Sequence, residues 1–315
     1  LVIGGGVSGM NTALSMADTG FKVYLVERSG ELGGIANRIR KTIEGKDVQS
    51  YMKGLIKKVT KHERIEVLTN SFIVDHSGKP GLFKTGLQTA PQMFYRQIEH
   101  GVTIFATGAL AHQPEAYHLG RYKNVVTQLD MDAMLEDETD KIKSFTSIVM
   151  IQCVGSRCPE NENCARICCL SAIKNALRIL EINPKAQIFI LYRDIRTYGL
   201  YEDYYKTARE KGVIFVRYEA DEPPDVQVIE KELKVTFNDP ILDRKISVST
   251  DCLCLSTGLI ADEESTEDLC RIFRIPKTSD NYFLEDHTKL RPIDLPVPGF
   301  FVAGTAHAPK TIKEC

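Results

Sequence analysis

The 315-residue sequence predicts an α/β protein made of two Rossmann-type, three-layer units. Three observations carry that expectation. A short apolar strand at the N-terminus runs into a glycine pattern and then a helix. Strands and helices alternate again over residues 147–260. Where the second series passes from its first strand to its first helix, five of the nine cysteines fall between Cys153 and Cys169. Basic and acidic residues number 40 and 42, so no basic stripe speaks for nucleic acid. No apolar run approaches the ~20 residues of a membrane span, and no signal-peptide pattern is legible. An odd cysteine count without framework spacing fits a reducing compartment, so a cytoplasmic location is expected. Leu1 starts inside a strand and Cys315 stops where a helix is expected to continue. The chain therefore reads as the core of a longer protein.

Residues 1–34 begin with LVI and continue into Gly4, Gly6 and Gly9, the pattern G-x-G-x-x-G. Met10, Ala13, Leu14 and Met16 give the following helix an apolar face, and Gly20 ends it. A second strand, 21–26, ends on Glu27, 18 residues beyond Gly9. Glycines there permit a tight turn and close approach of a pyrophosphate, and the acid accepts hydrogen bonds from a ribose. A dinucleotide site is expected.

Residues 47–62 read as an amphipathic helix through Val48, Met52, Leu55, Ile56 and Val59. Strands are expected at 64–69 and 71–74, with a turn at 78–81. His62, His76 and His100 read as solvent-facing and structural. The strand 101–108 ends in Ala106, Thr107 and Gly108. Residues 109–146 read as a connector with a short acidic helix near Met131–Asp137.

In the second unit, strands are expected at 147–153, 187–192, 213–217, 226–229, 233–237 and 246–255, with helices at 164–182 and 200–211. Cys252 and Cys254 alternate on one strand face and read as core, as does Cys270. Residues 261–282 read as a linker. The strand 299–303 runs into Gly304 and Thr305.

The first strand of the second unit reaches C-V-G-S-R-C where a second glycine loop would stand. Cys153 is placed at the strand end, and Cys164, Cys168 and Cys169 on the opening turns of a helix capped by Asn161 or Asn163. Four thiols spread over those positions suit a bulky metal–sulfur cube better than one zinc ion, which prefers pairs two to four apart. The free N–H groups and positive dipole end of a helix favour an anionic cluster. A [4Fe-4S] cluster is expected, with Cys158, in a loop beside Pro159, as a spare thiol. The alternatives are a stand-alone NAD(P)H-dependent disulfide oxidoreductase and a zinc-stabilised scaffold. No C-x-x-C pair and no second glycine fingerprint are present for the former.

Several stretches carry a family resemblance. Glu27, Arg28, Gly33 and Gly34 form E-R-x-x-x-L-G-G, which resembles the FAD-adjoining segment of flavoprotein disulfide reductases, and 106–108 resembles their A-T-G crossover. IGGGVSGM, QCVGSRC, CARICCLSAIKNA, YRDIRTYG, FLEDHTKLRPID and FFVAGTAHAPK together resemble the iron–sulfur A-type subunit of heterodisulfide reductase along essentially the whole chain. That resemblance implies a two-dinucleotide-binding-domain, thioredoxin-reductase-like flavoprotein. Residues 1–118 and 283–315 would form a discontinuous FAD domain, truncated at both ends. Residues 119–282 would form an NAD(P)-like domain carrying the cluster. It implies an oxidoreductase with FAD and a [4Fe-4S] cluster, ligated by Cys153, Cys164, Cys168 and Cys169. Lys174 would be the catalytic charge near the reactive edge of the flavin. FAD would contact Gly4, Gly6, Gly9, Glu27, Arg28, Gly33, Gly34, Ala106, Thr107, Gly108, Gly304 and Thr305. The resemblance further implies an oligomeric, heterodisulfide-reductase-like complex with other subunits and a ferredoxin or a hydrogenase or dehydrogenase donor. There, flavin-based electron bifurcation divides electron pairs. This chain departs from the family's C-terminal pattern at His307, Ala308 and Thr311, and it lacks the cysteine-rich inserts.

Overall fold

The computed structural model describes residues 1–230 and 232–315. The chain forms two compact units. Leu1–Asn37, Asp47–Leu110 and Leu259–Cys315 make the first, and Arg38–Lys46 with Ala111–Gly258 the second. Both seams differ from the division read in the sequence, 118 and 283. The main cause is a helix, Glu263–Phe273, in the stretch read as linker. Asp262 caps it by accepting from the Ser265 N–H at 3.2 Å. Leu269 and Phe273 on its inner face join the first unit's core.

In the first unit, five parallel strands lie in the order Phe300–Val302, Thr103–Phe105, Val2–Ile3, Val23–Val26, Ile65–Leu68. Val2–Ile3 is thus central, where a parallel sheet buries both faces. The helix Val7–Asp18 buries Met10, Ala13 and Ala17. The helix Val48–Lys61 buries Val48, Met52, Leu55 and Val59, one face at helical spacing. A further layer is an antiparallel sheet of Ser71–Lys79, Leu82–Thr89 and Phe94–His100. Its first strand runs well beyond the expected 71–74. Phe105 and Phe283 are fully buried among Phe83, Phe273 and Phe300. His76 and His100 are half-buried, not solvent-facing as expected. Both bond to Oγ1 of buried Thr85, at 2.9 and 2.7 Å. Their rings pack against Phe83. His62 pairs with Asp18 at 3.3 Å.

The second unit repeats the plan. Its parallel sheet runs Ile214–Arg217, Gln187–Tyr192, Ser147–Ile151, Cys252–Leu255, Val125–Thr127. The edge strand Val125–Thr127 and the helix Gln128–Asp137 come from the stretch read as connector. Ser147–Ile151 is wholly buried, and its side chains alternate between two cores. Ile148 and Met150 meet Ala172, Ile173, Ala176 and Ile179 of the helix Cys168–Ile182. Val149 and Ile151 meet Leu233, Val235 and Phe237 of an antiparallel sheet, Asp225–Ile229, Glu232–Asp239 and Arg244–Thr250. Cys252 and Cys254 lie together in the helix-side core, fully buried. Among the described residues, no helix is long and apolar enough to cross a membrane.

Candidate nucleotide cradle and thiol site

The strand Val2–Ile3 delivers Gly4 directly against the strand end at Ala106 and Thr107. A side chain at Gly4 would lie 2.2 Å from the Ala106 carbonyl oxygen, and its φ of +109° also calls for glycine. At Gly9 a Cβ would lie 1.8 Å from the Gly4 carbonyl oxygen, so only glycine lets the helix sit this close to the strand. Gly6 is different: nothing lies within 4 Å of its missing side chain. It is the N-cap of Val7–Asp18, with no side-chain cap and no acid in the first turn. An uncapped helix N-terminus beside open space suits a pyrophosphate.

Glu27 closes this loop. One carboxylate oxygen accepts from the Gly5 N–H at 2.7 Å, and the other accepts from the Ser29 N–H and hydroxyl, both at 2.8 Å. The acid thus fixes the glycine loop. The Gly33 N–H donates to the Gly5 carbonyl at 2.8 Å, and a bridge joins Gly6 to Gly33. Gly34 follows, 3.6 Å from the Gly6 Cα by its ideal Cβ. Gly304 packs on Ser8, and Gly108 lies beside Thr305. The structure therefore assembles Gly4, Gly6, Gly9, Glu27, Gly33, Gly34, Ala106, Thr107, Gly108, Gly304 and Thr305 around one helix N-terminus. Arg28 turns elsewhere and pairs with Asp262 at 2.5 Å. The room at Gly6 beside an uncapped helix N-terminus fits the phosphates of FAD.

In the second unit, Cys153 lies two residues past the strand end, not within the strand as expected. Its left-handed backbone, φ +60°, turns the chain. The Gln152 N–H donates to Leu191 and the Val154 N–H to Ser256, at 2.9 and 3.1 Å, so neighbouring strands hold Cys153 from both sides. The helix opens at Cys168 with Ile167 as N-cap. Cys164 is therefore in the preceding loop, and neither Asn161 nor Asn163 is the cap. Arg166, at φ +61°, breaks any earlier helix, and its N–H donates to Cys164 Sγ at 3.3 Å. Cys168 and Cys169 do lie on the first turn, which holds no acidic residue. At Gly258 a Cβ would lie 2.6 Å from the Ala165 Cβ and 3.3 Å from Cys168 Sγ, so glycine lets the thiol-bearing loop pack this close. Cys158 is tied to Asn161 by backbone bonds in both directions, at 3.1 and 3.0 Å.

Burial raises the Cys168 thiol strongly, and charge on Cys169, Cys153 and Cys164 raises it further. Cys169 is pushed up to about 11, first by burial. Cys153 is raised by burial and partly relieved by Arg157. The four sulfurs thus lie within electrostatic reach of one another. All nine cysteines are free thiols. Among the described residues, no group of three or more His, Cys, Asp or Glu side chains is placed to hold a metal ion. Two thiols on the first helical turn and two in the loop before it are the donor chemistry that an iron–sulfur cluster takes.

Lys174, on the same helix, is buried. Its Nζ donates to Asp132 Oδ1 at 2.7 Å and to the Lys41 carbonyl at 3.1 Å. Asp132 is 1% exposed and also accepts from Arg178 and from the Arg40 N–H, each at 2.7 Å. Burial lowers the Lys174 pKa, and Asp132 opposes that shift. Sequence reading missed Asp132, Gly258 and Arg157. Only Arg157 had a signal, inside C-V-G-S-R-C.

The FAD dependent oxidoreductase family matches residues 1–132. Thioredoxin reductase of T. acidophilum superposes with a TM-score of 0.64 at 14% identity, covering 99% of this chain and 92% of that one. The Lactococcus lactis thioredoxin reductase gives 0.64 at 17% identity, with the same coverage. The fold is thus of the thioredoxin-reductase-like, Rossmann-type class. Within that class, the first iron-sulfur A-type subunit of CoB--CoM heterodisulfide reductase from Methanopyrus kandleri is 29% identical over the whole chain. The A-type subunit of the H(2):CoB-CoM heterodisulfide,ferredoxin reductase of Methanothermobacter thermautotrophicus is 28% identical, again over the whole chain. Residues 1–132 match the FAD dependent oxidoreductase family, and along its whole length the chain is similar to this A-type subunit. It spans 61% of the length of each of these two relatives. The alignments run over 413 and 411 positions, so both relatives carry extra segments within the matched span.

Proposed function

We propose that this chain is an electron-transfer flavo-iron–sulfur unit, passing electrons between FAD and a [4Fe-4S] cluster. The observation that supports the reading is that Cys153, Cys164, Cys168 and Cys169 follow the central strand of the second sheet within electrostatic reach of one another. FAD supplies exchange between two-electron and one-electron chemistry, and an all-thiolate cluster accepts single electrons. Gly4, Gly6 and Gly9 bring backbone to the pyrophosphate, Glu27 orients the loop and the ribose, and Gly33, Gly34, Gly304 and Thr305 line the cradle. The four thiolates hold the cluster, and the helix N-terminus offsets its negative charge. Lys174, oriented by Asp132, supplies the positive charge that favours reduced, anionic flavin. The setting is an oligomeric, cytoplasmic complex with heterodisulfide-reductase-like subunits. Its donor is a ferredoxin or a hydrogenase or dehydrogenase, and electron bifurcation belongs to the whole assembly.

The absorption spectrum of anaerobically purified protein tests this. Flavin bands on a broad iron–sulfur shoulder, with about four irons per flavin, are expected. A purely yellow protein bleached by NADPH would favour the stand-alone disulfide oxidoreductase. A colourless zinc protein would favour the scaffold.

A further inference from the structure

The segment Y-R-D-I-R-T-Y-G, which follows the strand Gln187–Tyr192, has no part in the function described so far. It lies against the thiol site. The Cys169 Sγ–H donates to the Asp194 carbonyl at 3.6 Å. Arg193 donates to the Arg157 carbonyl at 2.7 Å, so this arm holds the loop that follows Cys153. The Arg157 guanidinium is itself divided. One nitrogen donates to Cys153 Sγ at 3.9 Å, and the other meets Asp194 Oδ2 at 2.7 Å. Its side chain is 19% exposed. The loop is built to aim it. Arg157 adopts φ +57°, and the Asn161 amide donates to the Gly155 carbonyl at 3.0 Å.

A guanidinium fork is suited to this double contact, because its donors are fixed in one plane. A donor on a ligand sulfur stabilises the more negative, reduced state of a cluster and raises its potential. We propose that Arg157, fixed by Asp194 and the Arg193 arm, is a positioning residue that donates to the Cys153 ligand and holds the cluster at a higher reduction potential. This rests on the cluster reading above.

The experiment is a redox titration of the flavin-loaded protein, with the cluster followed by EPR and iron counted per flavin. Arg157→Gln should keep its iron and lower the cluster midpoint by about 59 mV, a tenfold loss for a one-electron couple, with the flavin midpoint unchanged. Arg157→Lys keeps the charge but loses the fork, and should fall between parent and Arg157→Gln. If Arg157→Gln does not load iron, Arg157→Lys carries the measurement, and a midpoint equal to the parent overturns the proposal. A full iron complement with an unmoved midpoint in Arg157→Gln overturns it as well. So does a shift shared equally by flavin and cluster, which marks a structural effect. A parent protein without iron removes the cluster reading and this proposal together.

Discussion

The two units use one plan and end their central strands differently. In the first, Val2–Ile3 passes through Gly4 straight into the helix at Val7. In the second, Ser147–Ile151 is followed by a long cysteine-bearing loop before the helix at Cys168. Both backbones turn left-handed just past the strand, at Gly4 with φ +109° and at Cys153 with φ +60°. A glycine there leaves backbone N–H groups as the binding surface. A cysteine leaves a sulfur. The same strand-to-helix junction is thus a short glycine loop in one unit and a long thiol-bearing loop in the other, on a common scaffold.

The largest effect should come from the thiols. Serine at Cys153, Cys164, Cys168 or Cys169 should abolish the cluster, read as iron per flavin, while FAD remains bound. Cys158→Ser should keep full iron. Cys164 sharpens the comparison, because it sits in a loop and not on the helix. If Cys158→Ser loses iron while Cys164→Ser retains it, the loop supplies a different ligand.

The opposite cut is Gly9→Ala. Its Cβ would meet the Gly4 carbonyl oxygen at 1.8 Å, and backbone cannot yield as a side-chain end can. We expect about 3 kcal/mol lost from the first unit and FAD absent after gel filtration, checked by flavin content and thermal melting. Retained FAD at full occupancy would contradict the close-packing role.

A third test joins the two halves of the chemistry. Lys174→Met should leave FAD bound and lower its two-electron midpoint by about 30 mV, a tenfold change. Asp132 keeps Arg178 and the Arg40 N–H as partners. The stability cost should therefore stay below the roughly 3–5 kcal/mol of an orphaned buried charge. An unmoved flavin midpoint would leave Lys174 a purely structural partner of Asp132.

What was legible in the sequence divides along the same line. The glycine cradle could be read because its constraint is local: each glycine answers to backbone a few residues away or to an adjacent strand end. The buried strands could be read because apolar runs such as SIVMI need no partner to be recognised. Cys164 was misplaced because the break at Arg166 is a backbone conformation that no residue type announces. The helix Glu263–Phe273 was read as linker because few of its side chains are apolar, although Asp262 and the acids at its start were visible cap signals. Asp132 and Lys174 are 42 residues apart in sequence, and charge pairing at that range leaves no pattern. Thr85 is the same case. Nothing in the sequence announced that two histidines would converge on it.

That histidine pair gives the smallest effect. His100 Nδ1 lies 3.0 Å from the Val102 carbonyl, which can only accept, so Nδ1 carries the proton. Nε2 then accepts from the Thr85 hydroxyl at 2.7 Å, and Thr85 accepts from His76 Nδ1 at 2.9 Å. Every donor is used in the neutral state. Protonating His100 would set a second N–H against the Thr85 hydrogen and place charge among Phe83 and its neighbours. Burial accordingly lowers the His100 pKa from 6.5 to about 3. His76 is lowered as well, also by burial. The sign follows from the depressed value. Above pH 6.5 both folded and unfolded chains hold a neutral ring, and no cost arises. Between 6.5 and about 3 the unfolded chain binds a proton that the folded chain refuses, so stability falls as pH falls. Melting temperature should drop by a few degrees between pH 7 and pH 5, and His100→Gln should show a shallower drop than the parent. A parallel pH dependence in the two proteins would assign the acid sensitivity to other groups.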